Sequence, residues 1–169
     1  TSSGEVDNCK AEIEKMSELT DQPFGVNLPL LFLRDESMVE FCVQHGVKFV
    51  TTSAGDPSKY IDILKYAGIT VYHAVPSVEG AIKAADCGVD GLVVEGTEGG
   101  GFKSPEEVGL FVLIQAIRKQ IDLPIIAAGG IADGAGMAAA FAVGAEGIQM
   151  GTRFVTSKAV SYTHLTLPT

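Results

Sequence analysis

Two kinds of hydrophobic spacing alternate along this chain. Short, nearly continuous apolar runs predict buried strands at residues 24–28, 47–52, 69–75, 89–95, 123–128 and 146–151. Amphipathic stretches with a helical period separate these runs, and one more, over residues 9–20, precedes them. This alternation of strand and helix predicts an α/β fold, in which helices cover a parallel sheet.

Residues that commonly cap helices mark the helix boundaries. Helix starts are predicted at Asp35, Asp56-Pro57 and Ser77, and helix ends at Gly46, Gly68, Gly88 and Gly144. The segment Ser104-Pro105-Glu106-Glu107 has the form of a capping box and predicts a helix from there to about Gln120. A helix of small residues is expected over about 134–143.

The spacing of the strands distinguishes two parallel architectures. Strands recur at near-regular intervals, which favours a TIM (β/α)₈ barrel over a doubly wound sheet. A full barrel has eight strands in about 250 residues, whereas this chain of 169 residues shows six. We therefore expect an incomplete barrel that covers about strands 3 to 8 over residues 1–158. Since the chain starts with Thr1, we expect native sequence to precede it. We interpret the uncharged residues 159–169 as a non-native tail.

Composition excludes several kinds of partner and site. The chain has 12 basic and 21 acidic residues and a net charge of −9, which argues against nucleic-acid and anionic-membrane partners. No run of about 18 apolar residues occurs in this sequence, so no membrane span is expected, and no signal peptide is visible in it. Three scattered cysteines, Cys9, Cys42 and Cys87, indicate reduced thiols in a cytoplasmic protein without a metal site.

Candidate chemistry is sought at the carboxyl ends of the strands, where parallel α/β folds bind ligands. Asn27 ends the first strand, and its amide can donate and accept hydrogen bonds in the plane of a flat heteroaromatic ring, or satisfy loop backbone groups. His73 lies on the third strand and is either a proton carrier or a structural histidine. Glu95 ends the fourth strand and Glu98 follows it, but no partner on a second strand is evident for an acid–base pair.

Glycines cluster at the same strand ends. Gly99, Gly100 and Gly101 follow the fourth strand and allow the backbone to approach a ligand closely. Gly129-Gly130 and Gly151-Thr152 end the last two strands, which correspond to strands seven and eight of a barrel. Loops at that position commonly bind phosphate. Neither a G-x-G-x-x-G motif nor a Walker A motif is present, so a dinucleotide fold and a P-loop are disfavoured.

Four segments together carry a family likeness. Residues 23–28 (PFGVNL), 91–101 (GLVVEGTEGGG), 124–134 (PIIAAGGIADG) and 147–154 (GIQMGTRF) resemble the nitronate monooxygenase family. This family was formerly called 2-nitropropane dioxygenase and includes related FMN-dependent enoyl-ACP reductases. The likeness extends over about residues 9–158, and the order of its four motifs is specific.

The resemblance implies an FMN-bound TIM barrel. By the motif match, Asn27 would contact the flavin and Gly100 would lie in the cofactor site. The phosphate end of FMN would be held by Gly129, Gly130, Gln149, Gly151 and Thr152. In enzymes of this kind, an alkyl nitronate and O₂ give a carbonyl compound and nitrite.

One departure from the family motif affects the expected chemistry. The motif usually ends in a catalytic histidine, and this chain has Phe102 at that position. A phenyl ring takes up no proton, so oxidation of a neutral nitroalkane should suffer, whereas an ionised nitronate needs no base. His73 on a neighbouring strand is a candidate substitute.

Several functions therefore stay open at this point. The first is an FMN oxidoreductase that acts on a small nitronate, and the second is an FMN-dependent enoyl reductase that uses NAD(P)H and an enoyl thioester. The third is another phosphate-binding barrel similar to IMP dehydrogenase, although no cysteine of this chain lies in a predicted strand-end loop. The fourth is an incomplete barrel that binds nothing by itself.

Overall fold

The computed structural model describes residues 6–33, 35–100, 105 and 107–158. Strands and helices alternate in it as the hydrophobic pattern predicts. The strands are β1 (Gly25–Pro29), β2 (Phe49–Ser53), β3 (Thr70–Val75), β4 (Gly91–Glu95), β5 (Ile125–Ala128) and β6 (Gly147–Gln149). The helices are α1 (Val6–Leu19), α2 (Ser37–Gln44), α3 (Ser58–Tyr66), α4 (Val78–Asp86), α5 (Leu110–Arg118), α6 (Gly134–Ala142) and α7 (Thr152–Val155). A 3₁₀ turn, Leu30–Phe32, follows β1.

The order of the strands decides between the two architectures. All neighbouring strands are parallel, and they lie in the order β1-β2-β3-β4-β5-β6. A doubly wound sheet reverses its order at a switch point, and this sheet does not. The six strands of the described region form a curled sheet that is an incomplete (β/α)₈ barrel. The prediction of the fold is confirmed.

The main core lies between the convex face of this sheet and its helices. Strand residues that point outward, such as Val50, Val71, Leu92 and Ile125, pack with helix residues such as Leu64 and are all completely buried. Burial of this apolar surface holds the helices on the sheet. Among the described residues, no helix is both long enough and apolar enough to cross a membrane.

Strands begin slightly later than the apolar runs predict. Gly46 adopts a left-handed φ of 67° after α2, and the Val47 N–H then donates to the carbonyl of Cys42, 3.1 Å away. Ile69 donates in the same way to Leu64, also at 3.1 Å. The apolar residue after each glycine is buried, but its backbone closes the preceding helix and does not join the sheet.

The start of α5 differs most from its prediction. The predicted start at Ser104 is wrong, since residues 107–109 are not helical and α5 begins at Leu110. Gly109 is extended, with φ −65° and ψ 145°. The Leu110 N–H donates to both carboxylate oxygens of Glu98, at 3.0 and 3.3 Å. A carboxylate from the beginning of the β4–α5 connection therefore caps this helix.

Candidate active-site cleft

The pairing of the strands sorts their side chains onto two faces. Leu28, Thr52, His73 and Leu92 are register partners on β1 to β4, and all four are buried on the helix side. The alternate positions point into the hollow of the curled sheet, because successive side chains of a strand point to opposite faces. This concave face is the interior of the barrel fold.

Large side chains opposite glycines fill the lower part of the concave face. Phe49 lies beside Gly25 in register, Tyr72 beside Gly91, and Ile126 beside Gly147. A Cβ atom added at Gly91 would come within 2.3 Å of the Tyr72 ring, and one at Gly25 within 2.9 Å of Phe49. The rings of Phe49 and Tyr72 also contact each other, with centroids 5.1 Å apart. These residues form the floor beneath the cleft.

Above this floor, a cleft of about 870 Å³ opens at the carboxyl ends of the strands. Its wall includes four of the predicted cofactor residues, which come from three separate segments of the chain: Asn27, Gly100, Gln149 and Gly151. Ligand sites commonly occupy about 300–1,000 Å³, so the cleft is large enough for a nucleotide-sized molecule. Nothing lies within 4 Å of a Cβ built at Gly100 or at Gly151, so both backbones are open on that side.

Two hydroxyl groups of β2 bind the amide of Asn27. Thr51 Oγ1 donates to Asn27 Oδ1 over 3.0 Å, and Ser53 Oγ donates to the same oxygen over 3.4 Å. Thr51 is the register partner of Asn27, and Ser53 lies two residues further on the same face. Neither hydroxyl was predicted from the sequence, although their period-2 spacing on a predicted strand is the signal that indicates a shared face.

The other three predicted cofactor residues, Gly129, Gly130 and Thr152, are not part of the cleft wall. Gly129 and Gly130 have φ values of 107° and 66°. A Cβ at Gly129 would lie 2.8 Å from the backbone nitrogen of Gly99, so the loop after β4 covers this glycine pair. Thr152 is the first residue of α7 and follows Gly151 directly.

Glu98 holds that covering loop in place. Its carboxylate accepts the Leu110 N–H, and its Cβ lies 3.1 Å from the position that a Cβ at Gly130 would take. The Gly96 N–H donates to the carbonyl of Ala128 at the end of β5. Gly130 thus serves at least in part to make room for the loop.

The charges of the cleft wall are mixed. Among the described residues of the wall, Glu79 and Glu95 are acidic and Lys83 is basic. Glu95 is the last residue of β4, lies on the concave face and is in register with Ala128. The carboxylate of Glu98 accepts the N–H of Leu110, the first residue of α5. No group of three or more His, Cys, Asp or Glu that could hold a metal ion occurs in the described part of the chain.

Comparison with known proteins identifies the family of this chain. The sequence model of nitronate monooxygenase matches residues 31–166, which is most of the chain. This chain belongs to the nitronate monooxygenase family. The resemblance seen in the four sequence motifs is thereby confirmed.

Three relatives show the range of this family. The chain is 35% identical over 149 residues to (3aS,4S,5R,7aS)-5-hydroxy-7a-methyl-1-oxo-octahydro-1H-indene-4-carboxyl-CoA dehydrogenase of Rhodococcus jostii, covering 88% of this chain and 42% of the relative. It is 38% identical over 132 residues to nitronate monooxygenase of Paraburkholderia phytofirmans, and the match covers 73% of this chain and 36% of that relative. Among solved structures, FabK from Thermotoga maritima superposes with a TM-score of 0.85 and 44% identity. This match covers 91% of the present chain and 49% of FabK. The chain thus spans about half or less of the length of these relatives.

The histidine expected in this family has no confirmed counterpart here. Phe102, which takes its position in the motif, lies outside the described residues. His73 borders the cleft, but the residue is only 6% exposed and its Nδ1 lies 2.8 Å from the buried Thr52 Oγ1. Burial lowers the pKa of His73, and nearby Asp56 opposes this effect. The arrangement is typical of a neutral structural histidine, and a catalytic role for His73 stays a prediction.

Proposed function

We propose that this chain forms the FMN-binding part of an oxidoreductase that converts alkyl nitronates and O₂ to carbonyl compounds and nitrite. One observation carries the proposal: Asn27, Gly100, Gln149 and Gly151 meet around a single cleft in a member of the nitronate monooxygenase family. These residues follow three strands that are far apart in the sequence, and parallel winding brings the three strand ends to one edge of the sheet.

The residues at this edge fit FMN. The Asn27 amide offers in-plane hydrogen bonds to a heteroaromatic ring, and the open backbones of Gly100 and Gly151 allow close approach. When bound there, FMN would supply the electron acceptor for the substrate. We assign Asn27 to the flavin ring, and Gln149, Gly151 and Thr152 to the phosphate end. Gly129 and Gly130 would support that end from beneath the loop after β4.

The choice of a nitronate as substrate follows from the two candidate positions for a histidine base, His73 and Phe102, neither of which offers an accessible imidazole. Oxidation of a neutral nitroalkane begins with loss of a proton from carbon, which needs a positioned general base. His73 is buried and bonded to Thr52, and Phe102 carries no basic group. A nitronate arrives already ionised, so the cleft has only to bind and orient it and to admit O₂.

Titration of the purified chain with FMN tests the cofactor. We expect saturable quenching of flavin fluorescence for the parent chain. Gly151→Leu should weaken binding about tenfold or more, because it adds a bulky side chain to a residue of the cleft wall whose backbone is open. Gly134→Ala is the matched control, since a Cβ there also meets nothing within 4 Å but lies outside the cleft wall. Equal binding by parent and Gly151→Leu would contradict the assignment.

A second assay tests the substrate. With FMN bound, preformed ethylnitronate should yield nitrite, while neutral nitroethane at the same concentration should react far more slowly. Equal rates with both substrates would show that the protein provides a base and would refute this part of the proposal. Absence of nitrite from both would refute nitronate oxidation.

One comparison favours a second function. FabK is an enoyl-ACP reductase, and its 44% identity to this chain exceeds the 38% of the Paraburkholderia nitronate monooxygenase. An enoyl reductase would show bleaching of bound flavin by NADPH or NADH without any nitronate. Nitrite formation without this bleaching would exclude the reductase.

A further inference from the structure

Thr51 lies where it can control the amide that we assign to the flavin ring. It is the register partner of Asn27 on the neighbouring strand, and both side chains point into the concave face. The hydroxyl donates to Asn27 Oδ1 over 3.0 Å. Thr52, the next residue, points to the opposite face and contacts His73. The β2 strand thus directs one threonine to the cleft and the other to the core.

An exposed amide needs such a partner to keep one orientation. The last side-chain torsion of asparagine has a broad, roughly two-fold energy profile, so its oxygen and nitrogen ends exchange easily. Asn27 is an exposed residue. Two hydroxyl donors directed at Oδ1 favour the rotamer in which the oxygen faces β2. The end of the amide that meets a ligand is therefore determined by β2.

We propose that Thr51 is a positioning residue, which orients the Asn27 amide and thereby sets the affinity of the cleft for its heteroaromatic ligand. This inference rests on the proposed function, in which FMN is that ligand. Ser53 assists over its longer distance of 3.4 Å. Thr51 acts through Asn27, so its contribution depends on the amide being present.

Isosteric substitution separates this role from a structural one. Thr51→Val keeps the shape and suits a strand, but it removes the hydroxyl donor. We expect its dissociation constant for FMN, measured by fluorescence quenching, to rise about fivefold, as for loss of one hydrogen bond. Thr51→Ser restores a donor and should bind FMN within about twofold of the parent chain. Thr70→Val is the matched control, since Thr70 lies outside the cleft wall on β3.

A double-mutant cycle decides whether the effect passes through Asn27. In an Asn27→Ala background, Thr51→Val should change FMN affinity by less than about twofold, because no amide is left to orient. An equal loss in both backgrounds would mean that Thr51 acts on the ligand directly and would overturn the inference. Unchanged binding by Thr51→Val, or failure of Thr51→Ser to restore it, would also overturn it.

The same experiment separates failure of this inference from failure of the proposed function. A parent chain that does not bind FMN refutes the proposed function, and this inference falls with it. If the parent chain binds FMN and the effects of Thr51→Val and Asn27→Ala on the binding free energy simply add, only the role of Thr51 is refuted. If Thr51→Val proves unstable, Ser53→Ala tests the same amide with a smaller expected loss.

Discussion

Gly129→Ala is expected to destabilise the fold even when no ligand is present. The added Cβ would lie 2.8 Å from the Gly99 nitrogen, 3.2 Å from the Gly99 Cα and 3.4 Å from the Gly96 carbonyl oxygen. All three atoms are backbone, so no side chain can rotate away to relieve the contact. The φ of 107° at this position is one that L residues rarely adopt.

The size of this effect follows from two terms. A residue held in a sparsely populated backbone region costs about 1–3 kcal/mol, and an added carbon in a packed site costs about 1–3 kcal/mol. Because the loop after β4 can shift partly, we expect a loss of about 3 kcal/mol. That loss is a large share of the roughly 5–15 kcal/mol by which domains are stable.

Urea unfolding followed by circular dichroism, without FMN, measures this loss. Gly99→Ala should have a smaller effect, because its closest contact, at 2.6 Å, is a side-chain oxygen of Glu95 that can move. Gly134→Ala meets nothing within 4 Å and begins α6, so it should be neutral or gain up to about 1 kcal/mol. A Gly129→Ala chain within about 0.5 kcal/mol of the parent would refute the close packing of the two loops.

Three further predictions concern residues outside the cleft loops. Arg118→Ala should cost about 1–3 kcal/mol in urea unfolding, because it removes bonds to two backbone carbonyls and to Glu146, and Arg118→Lys should recover only part. Burial holds the pKa of His73 below its ordinary value of 6.5, so the unfolded chain binds more protons in acid. The contribution of neutral His73 to the free energy of unfolding should therefore be fully present above about pH 6.5 and be lost as the pH drops through the pKa of the folded state. His73→Asn should flatten this pH dependence. Burial raises the pKa of the Cys42 thiol to about 11, so it should react with a thiol reagent only on unfolding, after the other two cysteines.

Hydrophobic pattern was sufficient to predict the strands and most helices of this fold. Apolar runs and capping residues are local signals, and the Ser77 hydroxyl does cap α4 by accepting the Gly80 N–H over 3.1 Å. The start of α5 was mispredicted because the residue that caps it is not adjacent in the sequence. Its cap is Glu98, twelve residues before Leu110 at the other end of the same β4–α5 connection. A cap that arrives through tertiary structure leaves no pattern next to the helix that it starts.

The candidate site was predicted in part, because strand ends meet at one edge of any parallel sheet. That rule brought Asn27, Gly100, Gln149 and Gly151 to a common cleft. It does not tell which neighbours orient a side chain, since this depends on register, and Thr51 was therefore missed. Register became visible only when β1 and β2 were paired residue by residue.

The glycines show most clearly why pattern and structure carry different information. A cluster of glycines at a strand end suggests a ligand, yet Gly129 is packed against Gly99, while Gly151 faces open space. The isolated glycines Gly25 and Gly91 drew attention only as parts of family motifs, yet each makes room for an aromatic ring of the cleft floor. A missing side chain can admit a ligand, a neighbouring loop or a neighbouring ring, and only the atoms around it distinguish the three. Substitution of each glycine by alanine, measured with and without FMN, therefore separates residues that bind the cofactor from residues that shape its cleft.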